Sequence, residues 1–325
     1  MKMTDEEKEM SHEIEMVNGQ AQMAWVDAGE GTPWHNLGVR VDEGISPAEM
    51  MKVSGLDWTV EKRPMYLADG AQVPKKHALV RTSDNKVLDL VGNNWTPVQN
   101  STAFDFFQEF CDAGDMTMHT AGSLLEGRRI WALAKVASDF TVFGDDKVEG
   151  YLLFSNPHMF GQCVDVRFTP IRVVCNNTLT MSLNSKAQNF AKVNHRGEFD
   201  PEAVKEILGI ARNTMEEYKQ VAEFLGSKQV EDKKFKEFLG KVFGESSKDG
   251  KLRRNAQLAY EVFETQPGAE FARGSWWQAL NAVTYITDHQ MGRTNDARLN
   301  SVWFGAGRKQ KINAVKEAVS FAEAA

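Results

Sequence analysis

The chain has 325 residues, of which 42% are hydrophobic and 26% are charged. This composition supports a sizeable core, is typical of globular proteins and argues against global disorder. No apolar run approaches the roughly 20 residues that cross a bilayer, and residues 1–15 are acidic where a signal peptide is basic. We therefore expect a cytoplasmic protein with no membrane partner. The chain has three cysteines, Cys111, Cys163 and Cys175. They are scattered and form no CxxC pair, so we expect reduced thiols.

The formal net charge of -7 argues against general nucleic-acid binding, but the charge is unevenly placed along the chain. Residues 1–50 hold 11 acidic and 3 basic residues, a net of -8, which leaves +1 for the remainder. We therefore predict an acidic N-terminal arm over residues 1–20, ahead of an electrically balanced body. Between residues 291 and 316 six bases face one acid, which indicates either a basic patch or a solvated helix face.

Residues 21–198 are predicted to form an α+β domain built on an antiparallel sheet. Ser46-Pro47-Ala48-Glu49 has the order of cap, proline and acid that begins a helix, and Ser101 is expected to cap another. Residues 77–82 and 86–91 are β-prone runs separated by three polar residues, which is a hairpin signal.

Two further runs, residues 128–136 and 163–174, alternate along the chain as half-buried strands do. An antiparallel sheet with one dry face and one wetter, partly basic face would produce this pattern. The wetter face is expected to carry Arg129, Trp131, Asp165 and Arg167.

After residue 199 the periodicity becomes helical, so residues 199–325 are predicted to form a helical C-terminal region. Asp200-Pro201-Glu202 again has the order of a helix start, and this helix is expected to reach about Leu225. Shorter helices are predicted over residues 232–243, 252–263, 275–289 and 308–321.

Basic residues next to aromatic residues on a sheet surface predict contacts with nucleic acid. Arginine and lysine can hold phosphates while an aromatic ring stacks on a base, each stack contributing about 1–3 kcal/mol. The alternative is that Trp131 packs beneath helices and that the arginines pair with acids such as Asp165. The candidate nucleic-acid-binding residues are Arg128, Arg129, Trp131, Arg167, Arg172, Lys186, Lys192, Arg196, Arg293, Arg298, Arg308 and Lys309.

A glycine turn near the C-terminus offers a second type of phosphate contact. Gly305-Ala306-Gly307 leads into a predicted helix N-terminus followed by Arg308 and Lys309, an arrangement that suits an anion and is equally an ordinary connection between helices. The turn lacks the third glycine and the preceding strand of a dinucleotide site, and no GxxxxGKS/T loop occurs. No cofactor is therefore predicted.

A thiol nucleophile is the alternative, enzymatic hypothesis. Cys175 closes a predicted strand just before a possible helix start, where a thiol pKa is lowered, and His195 could act as its base. Cys175 is better explained as a small core residue at the end of a valine-rich strand. Together with His158 and Cys163 these residues are zinc-ligand types, but their spacing matches no zinc pattern, so no metal site is predicted.

Several segments resemble the phage- and plasmid-like proteins that carry domain of unknown function 932. The resemblance covers nearly the whole chain from about Trp25, and it implies a gene carried by bacteriophages or conjugative elements, with no established activity. The most specific of these segments is the run Arg172-Val173-Val174-Cys175-Asn176-Asn177-Thr178-Leu179. The others include Pro33-Trp34-His35-Asn36-Leu37-Gly38, Trp95-Thr96-Pro97-Val98-Gln99-Asn100, Gly127-Arg128-Arg129-Ile130-Trp131-Ala132-Leu133-Ala134, Asn281-Ala282-Val283-Thr284 and Asp288-His289.

These observations lead to a primary hypothesis and two alternatives. The chain is expected to bind single-stranded DNA in a bacterial host cell, as an ATP-independent annealing or recombination protein and a homo-oligomer, without being an enzyme. The alternatives are an enzyme centred on Cys175 and His195, and a protein that sequesters a signalling nucleotide.

Overall fold

The computed structural model describes residues 14–26, 37–172, 177–178, 190–197, 199–204, 212–244, 251–291 and 296–324. The chain divides into two compact units. The first unit comprises residues 1–137, 151–168 and 190–208, and the second comprises residues 138–150, 169–189 and 209–325. Strands dominate the N-terminal half and helices the C-terminal part, so the predicted α+β class is confirmed.

The described strands before residue 60 have two to four residues, and those after it have five to fourteen, apart from the two-residue β12. Their bounds are β1 Met16–Val17, β2 Gln20–Ala21, β3 Met23–Val26, β4 Val39–Val41, β5 Val60–Tyr66, β6 Gln72–Arg81, β7 Val87–Gly92, β8 Met116–Leu124, β9 Arg129–Val142, β10 Asp146–Pro157, β11 Cys163–Arg172, β12 Asn177–Thr178 and β13 Phe190–Asn194.

The main sheet of the first unit has the strand order β13-β11-β10-β9-β8-β3-β4. β8 pairs antiparallel with both β3 and β9, and β13 pairs antiparallel with β11. β3 and β4 pair in parallel, an exception that the sequence pattern does not predict. A second sheet, β5-β6-β7, is antiparallel and contains the predicted hairpin.

Two helices of the first unit, α1 (Pro47–Val53) and α2 (Asn100–Asp112), begin in different ways. Ser46 caps α1 as predicted, because its hydroxyl accepts a hydrogen bond from the Glu49 N–H at 3.2 Å. Helix α2 begins one residue before Ser101. The side chain of Gln99, which precedes it, instead pairs with the N–H and C=O of Val60 on β5.

The last residues of the predicted acidic arm are part of the first unit. Ile14 bridges to Leu124, and the N–H of Glu15 donates to the carbonyl of Ser123 at 2.9 Å. The Glu15 carboxylate, 3% exposed, forms an ion pair of 2.6 Å with Arg81. Residues 1–13 of the arm lie outside the described residues.

In its described residues the second unit is helical apart from the tip of the β9-β10 hairpin, residues 169–172 at the end of β11, and β12. Its core contains Trp276, Trp277, Phe235 and Phe238, and the indole N–H of Trp277 donates to the Asp146 carboxylate at 3.0 Å. The helices are α3 Arg212–Ser227, α4 Asp232–Phe243, α5 Arg254–Glu261, α6 Trp276–Tyr285, a π-helix Ile286–Gln290, α7 Asp296–Phe304 and α8 Ala306–Glu323. The predicted helical C-terminal region is confirmed, and α7 is an addition.

Candidate functional site

Three of the predicted nucleic-acid-binding residues are buried in the first unit. Trp131 is 0% exposed and its ring packs against Gly122. Arg129, 7% exposed, donates to the Ser155 hydroxyl at 2.9 Å, and Arg167, 6% exposed, forms a bidentate ion pair with Asp165. The alternation therefore reflects a sheet covered on both sides here, and in this conformation Trp131 cannot stack on a base.

Other predicted residues of the first unit are exposed. Arg128 lies in the turn between β8 and β9, Lys192 on β13, and Arg196 in the turn that follows β13. Lys192 faces Asp165 across the β11-β13 pair. Neither Arg128 nor Arg196 forms an ion pair with a carboxylate of the described residues. Both guanidinium groups are therefore accessible to a polyanion.

One hydrogen bond and one close contact link the turns that carry these two arginines to the connection between β10 and β11. The carbonyl of Arg128 accepts from the N–H of His158, in the β10-β11 turn, at 2.8 Å. The carbonyl of Pro157, the last residue of β10, lies beside the ring of His195, the neighbour of Arg196. The turns bearing Arg128 and Arg196 are thus linked to the β10-β11 turn and to the end of β10, respectively.

The β10-β11 turn also exposes an aromatic ring that sequence reasoning missed. Phe160 is 65% exposed, and its N–H is held at 2.8 Å by the carboxylate of Asp89. A phenylalanine between Pro157 and Gly161 was the available signal, because a turn punctuated in this way lies on the surface. We call Arg128, Phe160 and Arg196 the turn rim.

Beneath the turn rim two histidines are buried in the neutral state. Burial, with a smaller contribution from the nearby His195, lowers the pKa of His158 to about 3. Burial also lowers the pKa of His195, although the carbonyls of Thr96 and Pro157 oppose that shift. The two rings pack on tryptophans: His195 stacks on Trp95 at 4.2 Å, and His158 lies 5.5 Å from Trp58.

Acidification from pH 7 to pH 5 is expected to destabilise the protein through His158. The pKa of this histidine is lower in the folded protein than in the unfolded chain, where it is about 6.5. Its contribution to the free energy of unfolding is therefore fully present above pH 6.5 and is lost as the pH falls toward 3. At pH 5 the loss is about 2 kcal/mol. Urea unfolding at both pH values measures it. In His158→Gln that part of the pH dependence should vanish, whereas His119→Gln should retain it.

The thiol hypothesis is only partly covered by the structure. Cys175 lies outside the described residues, and His195 is 2% exposed, with Nδ1 bonded to the Thr96 carbonyl at 3.1 Å. Cys163 is half-buried. Within the described part of the chain no three or more His, Cys, Asp or Glu residues come together as a metal site would require.

The C-terminal candidates lie in the second unit and are not equally accessible. Lys309 is exposed, whereas Arg308 and Arg298 are half-buried, and the Nε of Arg298 donates to the Met291 carbonyl at 3.1 Å. In the glycine turn the N–H of Gly307 already donates to the Ser301 hydroxyl at 3.1 Å, so this amide is not open to an anion. Lys186, Arg293 and the side chain of Arg172 lie outside the described residues.

A buried ion pair that was not predicted lies close to this turn. The Lys311 ammonium, 0% exposed, is 2.7 Å from the carboxylate of Asp288, which is 4% exposed. Asp288 belongs to the π-helix, a rare element that is frequent at functional sites. Lys311 is one of the six bases between residues 291 and 316. Its burial was not predicted, because a lysine on an amphipathic helix is seldom fully buried.

Comparison with known proteins places the chain in a family. None of the helices in the part of the chain that the structure describes has the length and apolarity needed to cross a membrane. No curated protein and no solved structure matches the chain. A family model described as "Domain of unknown function (DUF932)" matches residues 87–303, more than half of the chain. The chain therefore belongs to the DUF932 family.

Proposed function

We propose that this protein binds single-stranded DNA and that the turn rim is its contact surface. The observation that carries the proposal is that two arginines, neither ion-paired with a described carboxylate, and one exposed aromatic ring lie on turns that contact one another or the end of β10. Arginine binds phosphates at any sequence, and an exposed ring stacks on any base. This combination suits sequence-independent binding of a single strand.

The wider role that we propose follows from what such binding requires. Annealing of single strands consumes no nucleotide, which agrees with the lack of a GxxxxGKS/T loop in the sequence. We propose an annealing or recombination protein of a bacteriophage or plasmid, located in the host cytoplasm and assembled as a homo-oligomer. An oligomer would place several turn rims along one strand and multiply a weak contact. Light scattering with and without oligonucleotide tests the assembly.

Removing the turn rim is expected to weaken binding of a labelled mixed-sequence oligonucleotide, measured by fluorescence anisotropy. Phe160→Ala should raise Kd about tenfold, because one lost stack is worth about 1–3 kcal/mol. The plot of the logarithm of the binding constant against the logarithm of salt concentration has a negative slope. In the double variant Arg128→Ala, Arg196→Ala this slope should be shallower by about 1.4, since each phosphate contact contributes about 0.7 for single strands.

Matched controls lie on the β5-β6 hairpin. Tyr66 is 60% exposed, and Lys75 and Lys76 are exposed as well, so Tyr66→Ala and Lys75→Ala, Lys76→Ala remove equal aromatic area and equal charge. These controls should bind like the natural protein. Equal losses in control and rim variants would refute the assignment of the surface, and salt-independent binding or none would refute the function. A cyclic dinucleotide that binds where the oligonucleotide does not would favour the sequestering alternative.

A further inference from the structure

Four buried polar atoms near the turn rim make no hydrogen bond within the protein. They are His158 Nδ1, His195 Nε2, Asn156 Oδ1 and Trp95 Nε1. Their residues are between 0% and 7% exposed. A buried polar group without a hydrogen bond loses the partner that it had in water, so four in one region require a physical explanation.

The hydrogen bonds on the other side of each ring determine which atoms carry protons. The amide nitrogen of Asn100 donates to the carbonyls of Leu56 and Trp58, so its Oδ1 accepts from His158 Nε2 at 2.9 Å. The Thr96 carbonyl can only accept, so His195 Nδ1 is its donor. In neutral imidazole the second nitrogen then has a bare lone pair. His158 Nδ1 and His195 Nε2 are both acceptors.

The strand register places these acceptors on one face of the sheet. Val164 pairs with Val193 and Val166 with Ala191, and all four pack in the core of the first unit, so position 195 belongs to that core face. Asn156 shares the face of the buried Phe154 because side chains alternate along β10, and His158, which follows β10, is tied to residues 95–100 through Asn100.

One segment, residues 95–100, covers this part of the core face. The Asn156 amide nitrogen donates to the Val98 carbonyl at 2.7 Å, while Thr96 and Asn100 hold His195 and His158. Trp95, which stacks on His195, supplies the remaining donor. We call Trp95, Asn156, His158 and His195 the polar chamber.

The chemistry of the polar chamber limits what can occupy it. Three lone-pair acceptors require an occupant that donates protons or accepts electron pairs, which a water molecule or a metal ion does. The Trp95 N–H requires an occupant that also accepts a hydrogen bond, and a metal ion cannot do this. A divalent ion would in addition need a compensating charge, and none of these four side chains is a carboxylate or a thiolate.

We propose that the polar chamber is a binding site for ordered internal water, which accepts from Trp95 and donates to the histidine and asparagine acceptors. Internal waters typically make about three hydrogen bonds to otherwise unsatisfied groups, and this donor-to-acceptor ratio matches one or two of them. The water would join residues 95–100 to the β10-β11 turn and to His195, beneath the turn rim.

A crystal structure of the full chain at a resolution that shows ordered solvent tests this site directly. We expect a water peak within about 3.2 Å of at least three of the four atoms. A dry chamber, a direct bond between its side chains, or a peak with the anomalous signal of a metal would each overturn the proposal.

Nitrogen NMR of ¹⁵N-histidine-labelled protein provides a test in solution. We expect neutral rings at pH 7, with His158 protonated on Nε2 and His195 on Nδ1, and with both bare nitrogens shifted as acceptors of a hydrogen bond. In Asn156→Leu, which puts an apolar side chain in the chamber, the His158 Nδ1 signal should move toward that of a free lone pair. The opposite tautomers, or an imidazolium in the natural protein, would contradict the proposal even if the variant fails to fold.

Discussion

Arg81→Met is expected to lower the free energy of unfolding by about 3–5 kcal/mol, the range observed when one partner of a buried ion pair is removed. Arg81 is 4% exposed and contacts two carboxylates, that of Glu15 at 2.6 Å and that of Asp84 at 2.6 Å. Without the guanidinium, Glu15 would be left buried with the Ser123 hydroxyl as its remaining side-chain donor. An uncompensated buried carboxylate is the main part of the expected cost.

Charge and packing both depend on this arginine. Its guanidinium lies 5.2 Å from the centre of the Trp58 ring, and it lowers the pKa of the Asp84 carboxyl to about 2. Its own pKa is raised, because the bonds to Asp84 and Glu15 outweigh the effect of burial. Methionine can fill the stem of the side chain but cannot donate to either carboxylate.

Urea unfolding followed by tryptophan fluorescence measures the loss, and the chain offers a matched control. Arg63 forms an ion pair of 3.1 Å with Glu61, but the two side chains are 42% and 56% exposed. Arg63→Met should therefore change stability by about 1 kcal/mol or less. A similar, small effect of both substitutions would show that the Glu15–Arg81 pair does not anchor the N-terminal segment.

The sequence predicted helices and strands well where residues close in the chain determine the point at which an element begins or ends. Ser46-Pro47-Ala48-Glu49 gave the helix start because the serine hydroxyl accepts from the N–H of Glu49, the third residue of the helix, a contact that needs only neighbouring residues. The β6-β7 hairpin and the helices after residue 199, apart from α7, were predicted for the same reason. The parallel pairing of β3 with β4 joins segments that no local pattern connects.

The candidate site was harder to predict because exposure depends on what covers a strand. Alternation along β9 separates two faces, but nothing in that run reports that both are covered, so the buried Trp131 and an exposed tryptophan give the same pattern. Glu15 shows the same limit, since an acid in an acidic leader is expected in solvent. Its partner Arg81 lies 66 residues further along the chain, beyond the reach of any local pattern.

Lys311→Met is expected to destabilise the second unit by about 3–5 kcal/mol, because Asp288 would remain buried without its ammonium partner. Asp288→Leu should cost a similar amount by leaving the lysine uncompensated. The double variant should cost much less than the sum of the two, since an apolar pair of similar volume needs no compensation in a buried site. Near-ultraviolet circular dichroism during urea unfolding reports on this unit through Trp276 and Trp277.

The double-mutant cycle also separates a structural ion pair from a functional one. Lys236 and Asp232 form an exposed pair of 2.8 Å four residues apart on α4, so Lys236→Met should leave stability nearly unchanged and serves as the control. If the pair only supports the fold, the double variant should bind oligonucleotide like the natural protein. A folded double variant that no longer binds would give the Lys311–Asp288 pair a role in binding, because loss of stability could not account for the defect.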